Sequence, residues 1–388
     1  MASKITISQY YDWWFDNALE FLGHLLEEVD VSLEWRNGIV FDPLDLDQIA
    51  QLVDNIERLI KFKLTYQKVG KDGSHEKANR AYLPTMHKGK YVNYLGKDTK
   101  VKQEITNYIL NEKCEGKNSK MRICDFCMSY YFDEFNISQV SQTIYPVATG
   151  SLKSQCGVRK METEYHACPT CAFLGSIAWL DDNPFTCDTD NLTNYILFPK
   201  VEDISKLHLI KDIIRDSVKQ GKNSNVMEIY KGRNGLEYER YAKDEYSLLL
   251  SLFEQIMSIG YQIRSIGYQD EWICLGIKGT HPTYQTRYSY LSEIKIPNVK
   301  NLENIFRDIQ KPYSNLVEKS FTKSLVTGKI NNDLGRDNKY LMSKGIVMDD
   351  FKTFARAFRI RENCILTGIN KELLYTLISQ WRCNDGAV

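Results

Sequence analysis

The chain has 388 residues with 43% hydrophobic and 26% charged side chains, a composition suited to a folded, water-facing protein of two or three domains. Its apolar runs stop well short of the roughly 20 residues that cross a bilayer. The opening MASKITISQYYDWW lacks a basic-then-apolar leader, so a secretory signal is not expected and the cytoplasm is the expected address. The zero net charge divides unevenly: residues 1–57 carry two basic and twelve acidic side chains, residues 58–122 sixteen basic and six acidic, and the remaining 266 balance at 32 each.

Residues 10–29 have the apolar spacing of an amphipathic helix with an aromatic start. Ser32 to Asp42 reads as a hairpin turning at Asn37-Gly38. A second helix is expected over 45–63, capped by Asp45, with Leu46, Ile49, Leu52, Val53, Ile56, Leu59 and Ile60 on one side. From 68 to 102 the periodicity fails among Gly70, Gly73, Pro84, Gly89 and Gly96, which predicts surface loops with at most one short strand. A short helix follows at 101–111. Strands are expected at 193–198, 225–242 and 272–278, and a long helix at 244–259. Helices near 301–309, 313–327, 349–361 and 371–381, joined by polar loops containing Gly335 and Gly345, suggest a helical bundle. The fold class is therefore α+β. A mixed N-terminal part with a basic loop region (1–113) precedes a cysteine-containing region (114–190), an α/β continuation (191–298) and a C-terminal bundle (299–388).

The strongest chemical signal is Cys124-Asp-Phe-Cys127 together with Cys168-Pro-Thr-Cys171. Cytosolic chains rarely keep disulfides, so ten cysteines in one are thiols or metal ligands. Two CxxC pairs supply four thiolates, enough to close a tetrahedral zinc site, and four sulfurs leave no open position for water. Zinc held there would be structural. His166 or Cys156 is a possible substitute ligand. A redox CxxC and unligated buried thiols are the bland alternatives. Cys114, Cys187, Cys274, Cys364 and Cys383 are isolated.

Thirteen cations from Lys68 to Arg122 precede and enter the first CxxC. Such a block is suited to phosphate contact, with counterion release as its driving term. Lys88, Lys90, Asn93, Lys97, Lys100, Lys102, Asn118 and Lys120 are the candidate nucleic-acid contacts, and Tyr91 and Tyr94 the candidate stacking rings. The alternative is that this block neutralises the acidic first 57 residues. Motifs for phosphate loops, zinc proteases, serine hydrolases and kinases are absent. Glu293-Ile-Lys295, with Asp270 and Glu271 upstream, formally matches the tail of a metal-dependent nuclease site. Asp42, Asp45 and Asp47 could chelate a cation, but a solvated acidic loop is the expected reading.

The paired CxxC, set between a mixed N-terminal part and a helical tail, resembles the CXXC–CXXC family of CRISPR-associated proteins. That family supplies the large subunit of type I (I-B/I-A-like) Cascade interference complexes. The specific match spans residues 124–171, and only Cys124, Cys127, Cys168 and Cys171 correspond position by position. The resemblance implies a non-catalytic subunit beside the crRNA 5′ end. Its partners would be crRNA, target double-stranded DNA, the backbone, 5′-end-capping and small subunits, and a helicase-nuclease or other effector. Its role would be to read the protospacer-adjacent motif, help open the duplex and support the R-loop, while guide pairing reads the rest. The alternative is a stand-alone zinc-ribbon nuclease or nucleic-acid-modifying enzyme relying on Glu293 and Lys295.

Overall fold

The computed structural model describes residues 3–63, 65–69, 75–79, 86–87, 90–91, 93–111, 121–132, 134–137, 140, 142–147, 165–188, 193–220, 244–258, 271–278, 287–297, 302–304, 334–357 and 378–379. The chain is a mixture of helices and sheets, α+β in class. It divides into two units. The first is Met1–Asp181 with Val201–His208 and Ile277–Tyr290. The second is Asp182–Lys200, Leu209–Gly276 and Leu291–Val388.

The first unit is built around helix α1 (Trp13–Glu27). Asp12 caps it, its carboxylate accepting from the Trp14 and Phe15 amides at 2.9 and 3.1 Å. The sequence suggests an amphipathic helix, with one polar face, but every residue from Trp14 to Gly23 is buried, polar ones included. A helix covered on all sides belongs in a core. Its buried polar groups are accordingly engaged. Glu20, fully buried, faces His208 Nδ1 at 3.0 Å. Asp16 accepts from the Tyr10 amide and from Gln9 Nε2 at 2.8 and 3.1 Å.

Strand β1 (Ile5–Ser8) pairs antiparallel with β3 (Gly38–Phe41), which also pairs with β2 (Glu34–Trp35), giving the order β1-β3-β2. The β2–β3 hairpin turns at Asn37-Gly38 as expected, with Asn37 in the left-handed region at φ 49°. Helix α2 (Leu46–Lys63) starts with a reciprocal cap: Asp45 Oδ1 accepts from the Gln48 amide, and Gln48 Oε1 accepts from the Asp45 amide. It packs on α3 (Thr99–Asn111).

Between them the glycine-punctuated segment folds further than its sequence suggests. Strands β4 (Thr65–Val69) and β5 (His75–Asn79) form one hairpin, and β6 (Met86–His87) and β7 (Lys90–Tyr91) another. A 3-10 turn at Asn93–Gly96 then buries Tyr94 and Leu95. The unit continues through strands β8 (Arg122–Ile123) and β9 (Tyr130–Tyr131), paired antiparallel, to helix α4 (Pro169–Ile177).

The second unit carries most of a four-stranded sheet ordered β10 (Phe185–Asp188), β11 (Thr193–Pro199), β12 (Glu271–Lys278) and β13 (Arg287–Lys295). Helix α5 (Ile204–Gln220), whose residues 204–208 belong to the first unit, opens with Asp203 accepting from the Ser205 amide at 2.8 Å. Helix α6 (Glu245–Ser258) lies on β10 and β11 and places Phe253 edge-on to the fully buried Trp272, ring centres 5.9 Å apart.

Helix α7 (Leu334–Val347) packs on α6 and on α8 (Phe351–Arg356). It runs through Gly335 and Gly345, which the sequence reading assigns to loops. Gly345 is there for contact: a Cβ would lie 2.6 Å from the Phe354 amide nitrogen, so only glycine lets α8 approach this closely. The expected strand over 225–242 lies outside the described residues, as does most of the expected bundle over 299–388. No helix among the described residues is long and apolar enough to cross a membrane.

Candidate metal centre

The two CxxC pairs reach one place from different backbones. Cys124 and Cys127 sit on the tight turn joining β8 to β9. The Cys124 carbonyl accepts from the Met128 amide at 3.0 Å, the Cys124 amide donates to the Ser129 carbonyl at 2.9 Å, and Met128 closes the turn at φ 58°. Cys168 is the N-cap of α4, Pro169 occupies the first turn, and the Cys171 amide donates to Cys168 Sγ at 3.4 Å. A helix start aims N–H groups and a partial positive charge at the sulfurs, which favours thiolate.

All four sulfurs lie within 4.8 Å of one another, and Cys127 and Cys168 are 3.7 Å apart. That separation is far beyond the roughly 2.05 Å of a disulfide. It matches the about 3.8 Å edge of a tetrahedron whose metal–sulfur bonds are about 2.3 Å. The donor set therefore fits a tetrahedral metal ion such as zinc. The sulfurs also constrain one another. Cys127 is drawn well below the ordinary thiol value by hydrogen bonding with Cys124, Cys168 and Cys171. Cys168 is pushed up by Cys124 and Cys127, and Cys171 by burial. Four such thiols cannot all ionise on their own; a bound cation is what permits it.

An aromatic and hydrogen-bonded frame holds the two pairs in register. Phe126, between the first two cysteines, packs on Phe15 at 4.7 Å, Tyr145 at 5.2 Å and Tyr165 at 6.4 Å. Tyr145 donates to Asp12, the cap of α1, at 3.0 Å. Trp14 Nε1 donates to the Ile144 carbonyl at 2.6 Å, Trp179 Nε1 donates to the Thr143 carbonyl at 2.8 Å, and the two indoles are 4.7 Å apart. Gly175 of α4 presses against the same Ile144 peptide, where a Cβ would fall 2.8 Å from the carbonyl carbon. On the rim, the Asp125 amide donates to the His166 carbonyl and the His166 amide donates to Asp125 Oδ2, at 2.8 and 2.6 Å. His166 Nδ1 sits 3.2 Å from an Arg122 nitrogen and is not in the sulfur cluster. Cys156 lies outside the described residues. Tyr10, which sequence reasoning did not single out, places its hydroxyl 3.5 Å from Cys171 Sγ.

The basic block divides between surface and interior. Lys100 is exposed and Lys97 half-buried. Asn93 is half-buried in the left-handed region at φ 54°. Lys90 is described in its main chain alone, on β7. Lys88, Asn118 and Lys120 lie outside the described residues. Lys102 is a correction: it is 2% exposed and its ammonium pairs with Glu57 of α2 at 2.6 Å, so its charge is spent inside the fold. Tyr94 is another. It is fully buried, edge-on to Phe173 at 4.8 Å, with its hydroxyl 3.0 Å from Thr106, and cannot stack on a base. The Lys102–Glu57 pair joins the basic block to the acidic one, so part of the basic block does neutralise the first 57 residues.

In the second unit, Glu293 and Lys295 share a face of β13, with Glu271 of β12 and Lys200 beside them. Lys200 pairs with Glu293 and, at 3.0 Å, with Glu271; Lys295 pairs with Glu271 at 2.7 Å. These are partly exposed ion pairs, and each glutamate faces an ammonium. Asp270 lies outside the described residues. Asp45 of the acidic loop serves as the α2 cap.

No protein-family model matches the chain, and no curated protein matches it.

Proposed function

We propose that this chain is the zinc-stapled, non-catalytic large subunit of a type I CRISPR RNA-guided surveillance complex. The observation that carries the reading is the closure of Cys124, Cys127, Cys168 and Cys171 into a single four-sulfur cluster, because the resemblance rests on those four residues. Zinc bound by all four has no site for water or substrate, so its work is structural. It clasps the β8–β9 turn to the start of α4.

In this reading the cations ahead of that turn, Lys88, Lys90, Lys97, Lys100 and Lys120, meet DNA phosphates, and Asn93 and Asn118 lie nearby in sequence. Binding helps open the duplex at the protospacer-adjacent motif and supports the displaced strand of the R-loop. Guide pairing supplies the sequence reading and part of the energy. The crRNA, backbone, 5′-end-capping and small subunits are its neighbours, and a helicase-nuclease or other effector arrives later. The enzyme alternative depends on Glu293 and Lys295. Both are engaged in ion pairs, whereas a catalytic cation needs carboxylates turned toward it.

The test is purification of the tagged chain from its native host, analysed for protein, RNA and metal together. One zinc per chain, a uniform short RNA and several CRISPR-associated subunits are the expected result. Zinc with neither RNA nor partners overturns the assignment and makes metal-dependent nuclease turnover, with and without Glu293→Gln, the next measurement. Within the assembled complex, Lys97→Glu with Lys100→Glu should weaken DNA binding and flatten its salt dependence.

A further inference from the structure

We propose that Tyr10 is a positioning residue for the metal centre, its phenol donating a hydrogen bond to the Cys171 sulfur and tying the chain's first strand to the ion. The inference rests on the zinc reading above and adds to it a residue outside both CxxC pairs.

The geometry supports it from both ends of the side chain. Cys171 Sγ donates to the Tyr10 hydroxyl at 3.5 Å as a thiol, and the direction reverses once the sulfur is a thiolate; that sulfur is fully buried, so water does not compete for it. The ring stacks on Phe15 with centres 5.1 Å apart and planes 29° apart. The Tyr10 amide donates to Asp16 Oδ1 at 2.8 Å. The next residue, Tyr11, turns the chain into α1 through a left-handed backbone at φ 57°, and Asp12 caps the helix. The phenol is thus held at its ring and at its backbone, with only the O–H torsion left to choose.

The chemistry gives the contact a purpose. Four thiolates around one divalent ion leave an excess of two negative charges in a site that is buried at three of its four sulfurs. Each hydrogen bond donated to a sulfur offsets part of that excess and fixes the ligand's direction. A phenol, with an ordinary pKa near 10, keeps its proton at neutral pH and has no function toward a thiolate other than donor. Tyr10 also directly follows Gln9, which bonds Asp16 and, at 2.7 Å, the Glu202 carbonyl. Metal loading is therefore coupled to the order of the segment that leads from β1 into α1.

The experiment uses the full chain with Co2+ in place of zinc. Tyr10→Phe keeps the ring and its stack and removes only the hydroxyl. The expected result is a sulfur-to-cobalt charge-transfer band displaced to lower energy, because an undonated thiolate gives up charge more readily. Metal should also transfer to a competing chelator about tenfold faster or more. Tyr94→Phe is the control. It removes another buried hydroxyl, but one bonded to Thr106 rather than to sulfur and outside the frame of the metal centre, and should leave the band in place. An unchanged band and release rate in Tyr10→Phe overturns the proposal. Equal changes in both variants also overturn it, since they would report loosened packing. Failure of the wild-type chain to bind Co2+ is a different outcome: it sinks the zinc reading itself and this inference with it.

Discussion

Two clusters in this molecule bring like-charged ligand groups together, and they resolve the repulsion in opposite ways. In the first unit, four cysteine sulfurs meet within 4.8 Å, and the groups acting most strongly on them are one another and burial. In the second, Glu271 and Glu293 approach across β12 and β13, and Lys200 and Lys295 supply the countercharge. The chain completes the second cluster with its own ammonium groups. The first is a cluster that could take a metal ion instead. A ligand-like motif therefore calls for a metal only where the fold provides no cation of its own, and spacing in the sequence does not tell these cases apart.

Breaking the first cluster should have the largest effect. Cys168→Ser or Cys171→Ser removes a buried ligand and leaves three thiols that no longer close the shell. Structural zinc contributes folding energy outright. A loss of roughly 4 kcal/mol or more corresponds to a melting midpoint lower by about 10 °C, with zinc released. Differential scanning fluorimetry with and without a chelator, alongside metal analysis, checks this. The chelator should lower the wild type and leave the variants unmoved.

Two glycines separate the metal centre from general stability. Gly175→Ala drives a methyl into the Ile144 peptide, whose carbonyl also accepts from Trp14. Gly345→Ala drives one against the Phe354 backbone in the second unit. Each should cost on the order of 2–3 kcal/mol through overpacking. Only Gly175→Ala should also hasten zinc loss to a chelator, because Ile144 belongs to the frame that seats α4. Equal zinc release from the two variants would break the distinction.

What the sequence disclosed follows from how local each signal is. The first two helices, the Asn37-Gly38 turn and the Asp45 cap rest on periodicity and turn chemistry within a few residues, and the structure contains them. The four cysteines were legible because their chemistry admits few uses. Tyr94 and Lys102 read as surface groups because their neighbours are polar; tertiary packing on Phe173 and pairing with Glu57 placed them inside. Gly345 read as a loop because its purpose lies nine residues away, at Phe354.

Strands β1, β10 and β13 were not expected, and the first two are short enough that pairing partners decide them. Helix α5 is a different case. Ile204, Leu207, Ile210 and Ile214 recur at helical spacing and are all buried, and Asp203 caps the start, so its signal was present although no helix was expected there. Tyr10 carried no signal at all, since nothing in a sequence marks a phenol that reaches a sulfur 161 residues away.

A buried carboxylate beside the metal frame gives a smaller, pH-dependent effect. Desolvation raises Asp16 from 3.8 to about 6, against the hydrogen bonds it accepts from Tyr10 and Gln9. The folded state therefore binds the proton more tightly than the unfolded state does. The resulting stabilisation is complete below about pH 4 and is lost as pH rises through about 6, amounting to no more than about 3 kcal/mol. Thiolate protonation acts in the opposite direction over acidic pH, so the useful quantity is the difference between wild type and Asp16→Asn, in which the zinc contribution cancels. That difference, measured by urea denaturation, should fall from pH 4 to pH 6 and then stay level. A flat difference would mean that Asp16 is solvated as an ordinary aspartate.

The smallest effect belongs to the second cluster. Lys200→Ala removes the ammonium shared by Glu271 and Glu293, but the pairs are partly exposed and screened by solvent, so the melting midpoint should move by no more than about 3 °C. The informative readout is chemical. Lys295 and Lys200 together hold Glu271 below the ordinary carboxylate range, so its pKa should climb part of the way back once Lys200 is gone and Lys295 remains, as followed by carboxyl NMR titration. Adding Mn2+ to Lys200→Ala then asks whether the two carboxylates, without the shared ammonium, accept a cation that the wild type should not. Paramagnetic broadening confined to Glu271 and Glu293 in the variant supports the view that the chain's own lysine fills the position a metal would take. Equal broadening in the wild type would erase the contrast between the two clusters and return Glu293 to the candidates for metal-dependent chemistry.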